Sequence, residues 1–395
     1  MYIIIIDESV DKMGGVERTI CTLANKLNEN NTVEIISKYK SRNNTFYKYN
    51  NDIKIDYLYD NRQQKSKKFK NKNIKYYYCR IFEKIKEYSC IKLKFKKNLP
   101  KLKKADIIIF GRVFIAIDFM KAIIKNNINA QIIVRDAIHL KFYNNKVKRK
   151  MYQLFPKTVN DFIVSSDESI KAYNEFFKDS KINMVKIYNP IGIEPIQKFN
   201  FKQKTIISIG RFDSQKGFEV LIEAFSKIHI MHDDWKLKIY GDGEYKDILR
   251  KKIEQMNLNG DAIIETPTKN VVKTFNESSI FAMASRYEGY ANVLVEAMAC
   301  GMPCVSYNWL MGVEEIIEDN KNGFIVKLKD REKYFNGEVY DEDVENLANR
   351  INYMIENEDV CKKMGEEAKK IIETRKADMI IDKWIKLIQK GGIIR

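Results

Sequence analysis

The stretch that decides the fold reads Glu288-Gly-Tyr-Ala-Asn-Val-Leu-Val-Glu296-Ala-Met-Ala-Cys-Gly301-Met-Pro303-Cys-Val-Ser306. It places two carboxylates eight positions apart, across a loop that leads into an apolar helix. A carboxylate inside so apolar a run is costly to bury unless something binds it. The run ends at Gly301 and Pro303, which stop helices, and a short buried strand follows. The stretch therefore predicts a ligand site at a sheet edge, with Glu288 at its mouth and Glu296 inside.

Short β-rich runs alternate with helical runs along the whole chain, which is typical of parallel sheets covered by helices. A first series ends near residue 188, and a second begins after an irregular region, 189–204. The predicted strands are Tyr2–Asp7, Val33–Ser37, Ile53–Tyr57, Asp106–Phe110, Gln131–Val134, Asp161–Val164, Asn183–Ile187, Thr205–Ile209, Lys236–Tyr240, Ala262–Ile264, Ile280–Ala282, Cys304–Ser306 and Gly323–Val326. The predicted helices include Val16–Asn28, Ile115–Lys125, Glu168–Phe177, Val344–Glu356, Val360–Glu373 and Ala377–Gln389. This order predicts an α/β fold with two doubly wound domains.

Length and charge limit the classes of protein to consider. A chain of 395 residues suits two domains, and no apolar run approaches the roughly 18 residues of a membrane-spanning helix. Residues 1–200 hold 40 Lys and Arg against 20 Asp and Glu, whereas the remainder hold 30 against 33. An anionic partner is therefore expected to meet the N-terminal half. Six cysteines without a CxxC pair fit a reducing cytosol, and we interpret the acidic turn after Met1–Ile6 as a first strand rather than a signal peptide.

Three glycine turns follow predicted strands. Gly210-Arg211-Phe-Asp-Ser-Gln-Lys216-Gly217 combines glycines with two cations, a suitable cradle for an anion, although a solvated loop is the alternative. Met13-Gly14-Gly15-Val16 is weaker and fits a plain loop equally well, and Tyr240-Gly241-Asp-Gly243 is weak by itself. Open α/β sheets bind ligands at the carboxyl ends of their strands, where all three turns and Glu288 fall. Cations, helix ends and carboxylates together suggest a nucleotide-sugar diphosphate.

These residues resemble retaining glycosyltransferase family 4, whose GT-B fold has two Rossmann-like domains facing across a cleft. The resemblance continues through Gly301-Met-Pro303 and Gly312-Val-Glu-Glu-Ile-Ile317 to Asn322-Gly323-Phe324, so it is specific over 205–326 and thinner over 1–200. It implies an acceptor-binding domain at 1–188, a nucleotide-sugar-binding domain at 189–375, and a helix at 376–395 that crosses back to the first domain.

The resemblance also implies a role for each matched residue. Arg211 and Lys216 would hold the donor diphosphate in place of a metal ion, and Glu296 would bind the ribose. Glu288 would contact the transferred sugar. The implied donor-binding set is completed by Gly14, Gly15, Gly210, Gly241, Gly289, Tyr290, Ala291 and Asn292. The family often has a histidine near the sugar and acceptor, for which His139 is the best candidate; a structural or surface role for His139 is the alternative.

Two segments depart from the family or invite another interpretation. Glu265-Thr-Pro-Thr-Lys269 replaces the usual glycine loop near the base, which leaves base recognition open. Asp341-Glu-Asp343 spells a DxD metal signature, but its place at a helix start favours a cap. We expect no metal and no cofactor. No carboxylate is evident beneath the anomeric carbon, so we favour same-face attack, with the leaving phosphate accepting the acceptor's proton.

Residues 62–104 form a basic arm with 17 Lys and Arg and two acids. Within it Ile74, Tyr77, Tyr78, Ile81, Phe82, Ile85 and Tyr88 recur at helical spacing, which predicts a helix with one aromatic-aliphatic face. That face either packs on the core or contacts anionic lipid headgroups. Nucleic-acid binding is disfavoured, because the aromatics lie on one helical face rather than on an open sheet.

The sequence therefore predicts a glycosyltransferase that moves a hexose or N-acetylhexosamine from a nucleoside-diphosphate sugar, with UDP expected, to a carbohydrate acceptor. The basic N-terminal half favours a lipid-linked or cell-surface polysaccharide precursor, and a cytoplasmic enzyme peripheral to the inner face of the plasma membrane. Richness in Lys, Ile and Asn is typical of an AT-rich bacterial genome. A nucleotide-sugar epimerase on the same fold, or a basic nucleic-acid- or membrane-binding scaffold, is the alternative.

Overall fold

Two parallel sheets organise the chain in a computed structural model that describes residues 1–62, 74–136, 138–194, 201–268, 270–309 and 312–392. Sheet A has seven strands: β1 (Tyr2–Asp7), β2 (Thr32–Lys40), β3 (Lys54–Asp60), β4 (Ile107–Phe110), β5 (Gln131–Arg135), β6 (Asp161–Val164) and β7 (Asn183–Lys186). Sheet B has six: β8 (Thr205–Ile209), β9 (Lys236–Tyr240), β10 (Ala262–Glu265), β11 (Ile280–Met283), β12 (Cys304–Tyr307) and β13 (Phe324–Val326). Each of the thirteen predicted strands is confirmed, with bounds that move by at most three residues.

Helices connect these strands and complete the C-terminal part. They are α1 (Gly15–Asn28), α2 (Ile74–Lys104), α3 (Val113–Lys125), α4 (Asn145–Leu154), α5 (Asp167–Phe176), α6 (Phe218–His229), α7 (Lys246–Gln255), α8 (Val271–Asn276), α9 (Asn292–Ala299), α10 (Arg331–Phe335), α11 (Asp341–Glu356), α12 (Glu358–Lys369), α13 (Ile372–Arg375) and α14 (Ala377–Gly392). The predicted helices are confirmed, except that the one expected over Val360–Glu373 is divided into α12 and α13.

Both sheets are doubly wound, so each has a point at which the strand order reverses. Sheet A runs β3-β2-β1-β4-β5-β6-β7, and sheet B runs β10-β9-β8-β11-β12-β13. The reversal lies between β1 and β4 in sheet A and between β8 and β11 in sheet B, where the connections lead to opposite sides. A crevice opens at such a point outside the carboxyl ends of the strands. The predicted α/β class is confirmed.

Packing divides the chain into two compact units. Unit 1 comprises residues 1–190 and 377–395, and unit 2 comprises 191–376. The last helix, α14, belongs to unit 1: Ile380 and Trp384 share a buried cluster with Ile3 and Ile5 of β1. The apolar side chains of α14 thus pack on the first sheet. All six cysteines are free thiols and four of them are buried, as expected for core residues.

The basic helix α2 is confirmed, but only one half of it packs on a core. Ile91, Phe95 and Leu102 are buried in unit 1, whereas the apolar residues between Tyr77 and Tyr88 are exposed. Residues 63–73 of the predicted arm lie outside the described residues. Within the described part of the chain, no helix is long and apolar enough to cross a membrane.

Candidate functional site

The predicted donor residues of unit 2 lie in loops around the reversal point of sheet B. Gly210 follows β8, and the loop 284–291 follows the neighbouring strand β11. Because β8 and β11 are parallel and paired, their carboxyl ends open on the same edge. Two segments that are about 70 residues apart in sequence therefore form one surface, as the bonds between Gln215 and the second loop show.

An ion pair forms the centre of this surface. The Lys216 Nζ lies 2.7 Å from Glu288 Oε1, and both side chains are largely buried. The amide of Gln215 donates to the Tyr287 carbonyl at 2.9 Å and reaches Glu288 Oε2 at 3.5 Å. A cation and a carboxylate are thus held side by side at the carboxyl edge of the sheet. The hydrogen bond between them is strong because both groups are charged and the site is partly buried.

Arg211 lies at the outer part of the same loop. Its side chain is 69% exposed, and its Nε donates to the Asp213 carboxylate. A guanidinium paired along only one edge keeps further N–H groups directed to solvent, where a phosphate can accept from them. Lys216 and Arg211 therefore present one buried and one exposed cation on a single loop.

Arg286 fixes the two loops to each other, and sequence reasoning missed it. Its backbone N–H donates to the Gln215 carbonyl at 2.7 Å, and its Nη1 donates to the Ser214 carbonyl at 2.6 Å. Its Nη2 lies 2.7 Å from Glu219 of α6. The guanidinium, bound to one carbonyl and one carboxylate, and the backbone N–H together hold the Lys216 loop against the Glu288 loop. An arginine three residues after the end of a buried strand was the available signal.

Two glycines allow these loops to approach closely. Gly217 has φ +59°, and a Cβ there would lie 2.1 Å from the Ala284 carbonyl oxygen. A Cβ on Gly241 would lie 1.9 Å from the Gly210 carbonyl oxygen. Only glycine fits such contacts with backbone. Gly241, predicted to bind donor, thus has a packing role beside Gly210 in the protein itself.

Helix α9 carries the second carboxylate. Glu296 is buried at 4% exposure within an apolar helix, as the sequence predicted. Ala291 occupies the N-cap position of α9. The Asn292 N–H, at the first residue of α9, donates to the Tyr290 carbonyl at 2.9 Å in a tight turn. Gly289 and Tyr290 lie in the loop between the two carboxylates.

A buried arginine at the end of unit 2 contacts this loop. The Arg375 Nε donates to the Tyr290 hydroxyl at 3.0 Å, and its Nη2 donates to the Glu315 carbonyl at 3.3 Å. The Arg375 carbonyl accepts from the Ile191 N–H at 3.0 Å. Residues 191 and 375 lie next to the two points at which the chain passes from one unit to the other. Arg375 therefore joins the loop before α9 to both of these segments.

The reversal point of sheet A holds a different polar cluster. The Arg112 Nη2 lies 2.5 Å from Glu17 of α1 and 3.7 Å from Asp7 at the end of β1, while its Nη1 contacts Glu8 at 2.9 Å. Asp7 is fully buried, and its burial raises the pKa of the carboxyl, an effect that the Arg112 charge opposes. One cation is thus surrounded by three carboxylates at this end of sheet A.

The Gly14-Gly15 turn lies beside this cluster. Gly14 is the N-cap of α1, and a Cβ added to it would lie 2.2 Å from Glu17 Oε2. A carboxylate at a helix N-terminus stabilises the helix dipole. The carboxylate of Glu17 therefore already occupies the position beside the turn where the sequence predicted a phosphate. The role of Gly14 and Gly15 towards a donor stays a prediction.

His139 lies in unit 1, beyond the carboxyl end of β5. It is the N-cap of a short 3₁₀ turn, and its Nδ1 accepts from the Lys141 N–H at 3.0 Å. Burial lowers the pKa of His139 to about 4, so the imidazole is neutral near pH 7. The structure thus supplies the structural role that the sequence left open, and its role towards an acceptor stays a prediction.

The expected cap at the DxD segment is wrong, because none of its side chains caps α11. Tyr340 precedes α11, and Asp341, Glu342 and Asp343 form its first turn without a side-chain cap bond. Asp343 is fully buried, and its carboxylate accepts a hydrogen bond from the Lys329 N–H at 2.7 Å. This bond joins α11 to the segment after β13. Across the residues that the structure describes, no group of three or more His, Cys, Asp and Glu side chains is arranged to hold a metal ion.

A cavity of about 410 Å³ lies elsewhere on unit 2, between β13 and α11. Its lining includes Asp319, Lys327 and Arg350. The Arg350 guanidinium stacks 4.5 Å from the Phe324 ring centroid. The cavity lies on β13, which is the edge strand of sheet B. Neither Lys216 nor Glu288 lines it.

Comparison with known proteins gives the context for this geometry. The family described as glycosyl transferases group 1 matches residues 193–371. An uncharacterized glycosyltransferase of Haemophilus influenzae is 27% identical over 301 residues, which cover 76% of this chain and 80% of that protein. The solved structure of Staphylococcus aureus TarM with fondaparinux, alpha-GlcNAc-glycerol and UDP has 16% identity and a TM-score of 0.74, covering 98% of this chain and 99% of that one.

A third protein of this group acts on a lipid-linked glycan, according to its name. It is the N-acetylgalactosamine-N,N'-diacetylbacillosaminyl-diphospho-undecaprenol 4-alpha-N-acetylgalactosaminyltransferase of Campylobacter jejuni, 28% identical over 200 residues. The match covers 49% of this chain and 54% of that protein, so the chain spans about half the length of this relative.

The two doubly wound sheets and the TarM likeness define the fold as GT-B. Within that class, the chain belongs to the group 1 glycosyltransferases, and unit 2 carries the region that defines the family. The protein is therefore an enzyme that transfers a sugar.

Proposed function

We propose that this enzyme transfers a hexose or N-acetylhexosamine from a UDP-sugar to a carbohydrate acceptor, with retention of the anomeric configuration and without a metal ion. The observation that carries the proposal is the contact of Lys216 with Glu288, 2.7 Å apart at the reversal point of sheet B. A nucleotide-sugar has a diphosphate directly joined to a polyhydroxylated ring. A cation adjacent to a carboxylate fits that sequence of groups, since one binds phosphate and the other accepts hydroxyl hydrogen bonds.

The two cations divide the work on the diphosphate. Arg211, which is exposed, meets the phosphate oxygens as the donor arrives, and Lys216 neutralises charge close to the bond that breaks. Once the diphosphate takes hydrogen bonds from Lys216, Glu288 is released to accept from the sugar hydroxyls. Positive groups aimed at a developing diphosphate charge act as an oxyanion hole does for an acyl group.

Same-face substitution follows from this assignment. The bond between the anomeric carbon and the phosphate oxygen breaks as the acceptor oxygen bonds to that carbon from the same side. The acceptor's proton passes to the departing phosphate oxygen, so the step needs no separate base. Glu288 is assigned to binding the sugar hydroxyls, so it is not assigned as a covalent nucleophile.

The nucleoside end of the donor is assigned to Glu296. Its burial in α9 supports binding of the ribose hydroxyls, because a carboxylate in an apolar helix is stabilised by such donors. UDP is proposed as the nucleotide because the likeness to TarM, described with UDP, extends over nearly the whole chain. No organic cofactor or metal is assigned, since two cations already face the place of the diphosphate.

A lipid-linked glycan or cell-surface polysaccharide precursor is the proposed acceptor. The name of the Campylobacter relative, which contains diphospho-undecaprenol, supports that class. The excess of Lys and Arg in residues 1–200 fits an acceptor presented at an anionic membrane. We accordingly propose a cytoplasmic enzyme peripheral to the inner face of the plasma membrane.

Donor binding is tested by thermal shift and calorimetry with UDP-, GDP- and ADP-sugars in the presence of EDTA. The UDP-sugars are expected to raise Tm most, and the Arg211→Ala variant should lose that shift. The Arg250→Ala variant is the matched control, because Arg250 is similarly exposed but lies in α7. Turnover with a polyprenyl-diphosphate glycan, followed by NMR of the new linkage, then tests retention. An inverted product, a metal requirement or epimerisation of the donor without an acceptor would contradict the proposal.

A further inference from the structure

Helix α2 consists of two halves with opposite environments. In the C-terminal half, Phe95 stacks on Phe119 of α3 with ring centroids 4.3 Å apart. Lys101 lies 2.8 Å from both Glu34 and Asp56, so the helix is also fastened to β2 and β3. This half fixes the direction of α2 on unit 1.

The N-terminal half carries an exposed apolar surface, here called the α2 stripe. Six large side chains are between 55% and 72% exposed: Tyr77, Tyr78, Ile81, Phe82, Ile85 and Tyr88. At about 100° per residue they cover roughly 140° of the helix circumference. A contiguous set of this kind is unusual on a soluble surface and marks a contact site.

Lysines border the α2 stripe on both sides. At the same helical spacing, Lys84 lies just outside one border and Lys86 just outside the other. Neither forms an ion pair with any residue in the described part of the chain. Lysine stems reach along an apolar surface while their ammonium groups stay in water. The arrangement thus pairs an apolar centre with a positively charged rim.

We propose that the α2 stripe docks on an anionic lipid surface, with its aromatic side chains in the interface and Lys84 and Lys86 on the headgroups. Aromatic rings with polar edges suit the boundary between headgroups and acyl chains. A second copy of the chain is disfavoured as the occupant, because it would bring two lysine-bordered helices together. Nucleic acid is disfavoured because the rings share one convex helical face, whereas bases stack on open platforms.

This inference rests on the proposed function for the membrane location alone, and it does not depend on the proposed sugar transfer. Binding to vesicles is measured without donor or acceptor, so its failure would leave the glycosyl transfer untouched. Conversely, a chain that has no activity with a soluble acceptor can still be tested for vesicle binding, so the two failures are distinguishable.

The first experiment is cosedimentation of the full chain with vesicles of phosphatidylcholine alone or with phosphatidylglycerol added. Binding is expected only to the anionic vesicles and should weaken at high salt, because headgroup attraction is screened. The Phe82→Glu/Ile85→Glu double variant should lose about tenfold or more in partition. The Ile230→Glu/Met231→Glu variant is the matched control, since those side chains are 84% and 61% exposed on unit 2.

A second experiment reports where the helix lies. The three native tryptophans, Trp235, Trp309 and Trp384, are all buried, so they contribute little change on binding. A Phe82→Trp variant is expected to show a blue shift and quenching by brominated lipids only with anionic vesicles. The Lys84→Glu/Lys86→Glu variant should weaken binding by about tenfold while preserving Tm.

Three outcomes would overturn the proposal. The first is equal binding of the Phe82→Glu/Ile85→Glu variant and the native chain, and the second is an emission spectrum of the Phe82→Trp variant that vesicles leave unchanged. The third is a dimer in sedimentation analysis, or a complex with RNA, that the Phe82→Glu/Ile85→Glu variant abolishes while vesicles remain unbound.

Discussion

The reversal points of the two sheets use similar residues in opposite ways. In unit 1, Arg112 faces the carboxylates of Asp7 and Glu17, and the cluster is almost closed to solvent. In unit 2, Lys216 faces Glu288, but Arg211 remains 69% exposed on the same loop. The first arrangement surrounds a largely buried cation with carboxylates, whereas the second leaves a cation exposed to solvent. Topology therefore determines where a site can form, and the balance of charge determines whether it binds a ligand.

The largest expected effect is on the stability of unit 1. Arg112→Met leaves Asp7 and Glu17 buried without their cation, so the free energy of unfolding should fall by about 3–5 kcal/mol. Urea denaturation measures this change, with Arg149→Met as a control at an exposed arginine of α4. A variant of native stability that has lost donor binding would show instead that the unit 1 cluster is a ligand site.

The second prediction concerns turnover in unit 2. Arg211→Ala should lower kcat by about 10²–10³-fold, because it removes a cation from the developing diphosphate charge. The stability change should be small, since the Arg211 side chain is exposed. Steady-state kinetics with and without Mg²⁺ or Mn²⁺ measure this, and neither ion should restore the rate. Arg250→Ala should behave as the native enzyme; rescue by a metal ion would contradict the proposed mechanism.

A third test uses a buried carboxylate of unit 1 that titrates near neutral pH. Asp136 accepts from the Tyr143 and Tyr173 hydroxyls at 2.6 and 2.5 Å, and its burial raises its pKa from 3.8 to about 6. The folded state thus holds this proton more tightly than the unfolded state. Relative to Asp136→Asn, the native chain should lose up to about 3 kcal/mol of stability as pH rises from 4 to 7. Parallel pH dependences of the two unfolding free energies would refute this assignment.

The smallest expected effect is on positioning of the loop before α9. Arg375→Ala removes the contact with the Tyr290 hydroxyl, so the KM for the donor should rise about tenfold, a loss typical of one hydrogen bond to a charged group. Tyr290→Phe should reproduce much of that rise while kcat changes little. A fall in kcat with unchanged KM would place Arg375 in the chemistry rather than in positioning.

Local motifs located the two loops that meet in unit 2, because their residues follow strands and glycines within short stretches of sequence, and the roles of these residues stay predictions. The unit 1 cluster escaped prediction, since Arg112 and Glu17 are 95 residues apart and meet only through strand order. Arg375 and Tyr290, 85 residues apart, escaped for the same reason. Helical periodicity located the α2 stripe but not its exposure, because a buried face and an exposed face have the same spacing.

The position of α14 has a consequence for synthesis on the ribosome. Ile380 and Trp384 complete the cluster that contains Ile3 and Ile5, yet the ribosome makes them after all of residues 191–376. At typical rates of translation that delay is roughly 10 to 40 s. The earlier unit consequently waits with an uncovered apolar face while the later unit folds, and chaperones would find their binding surface there.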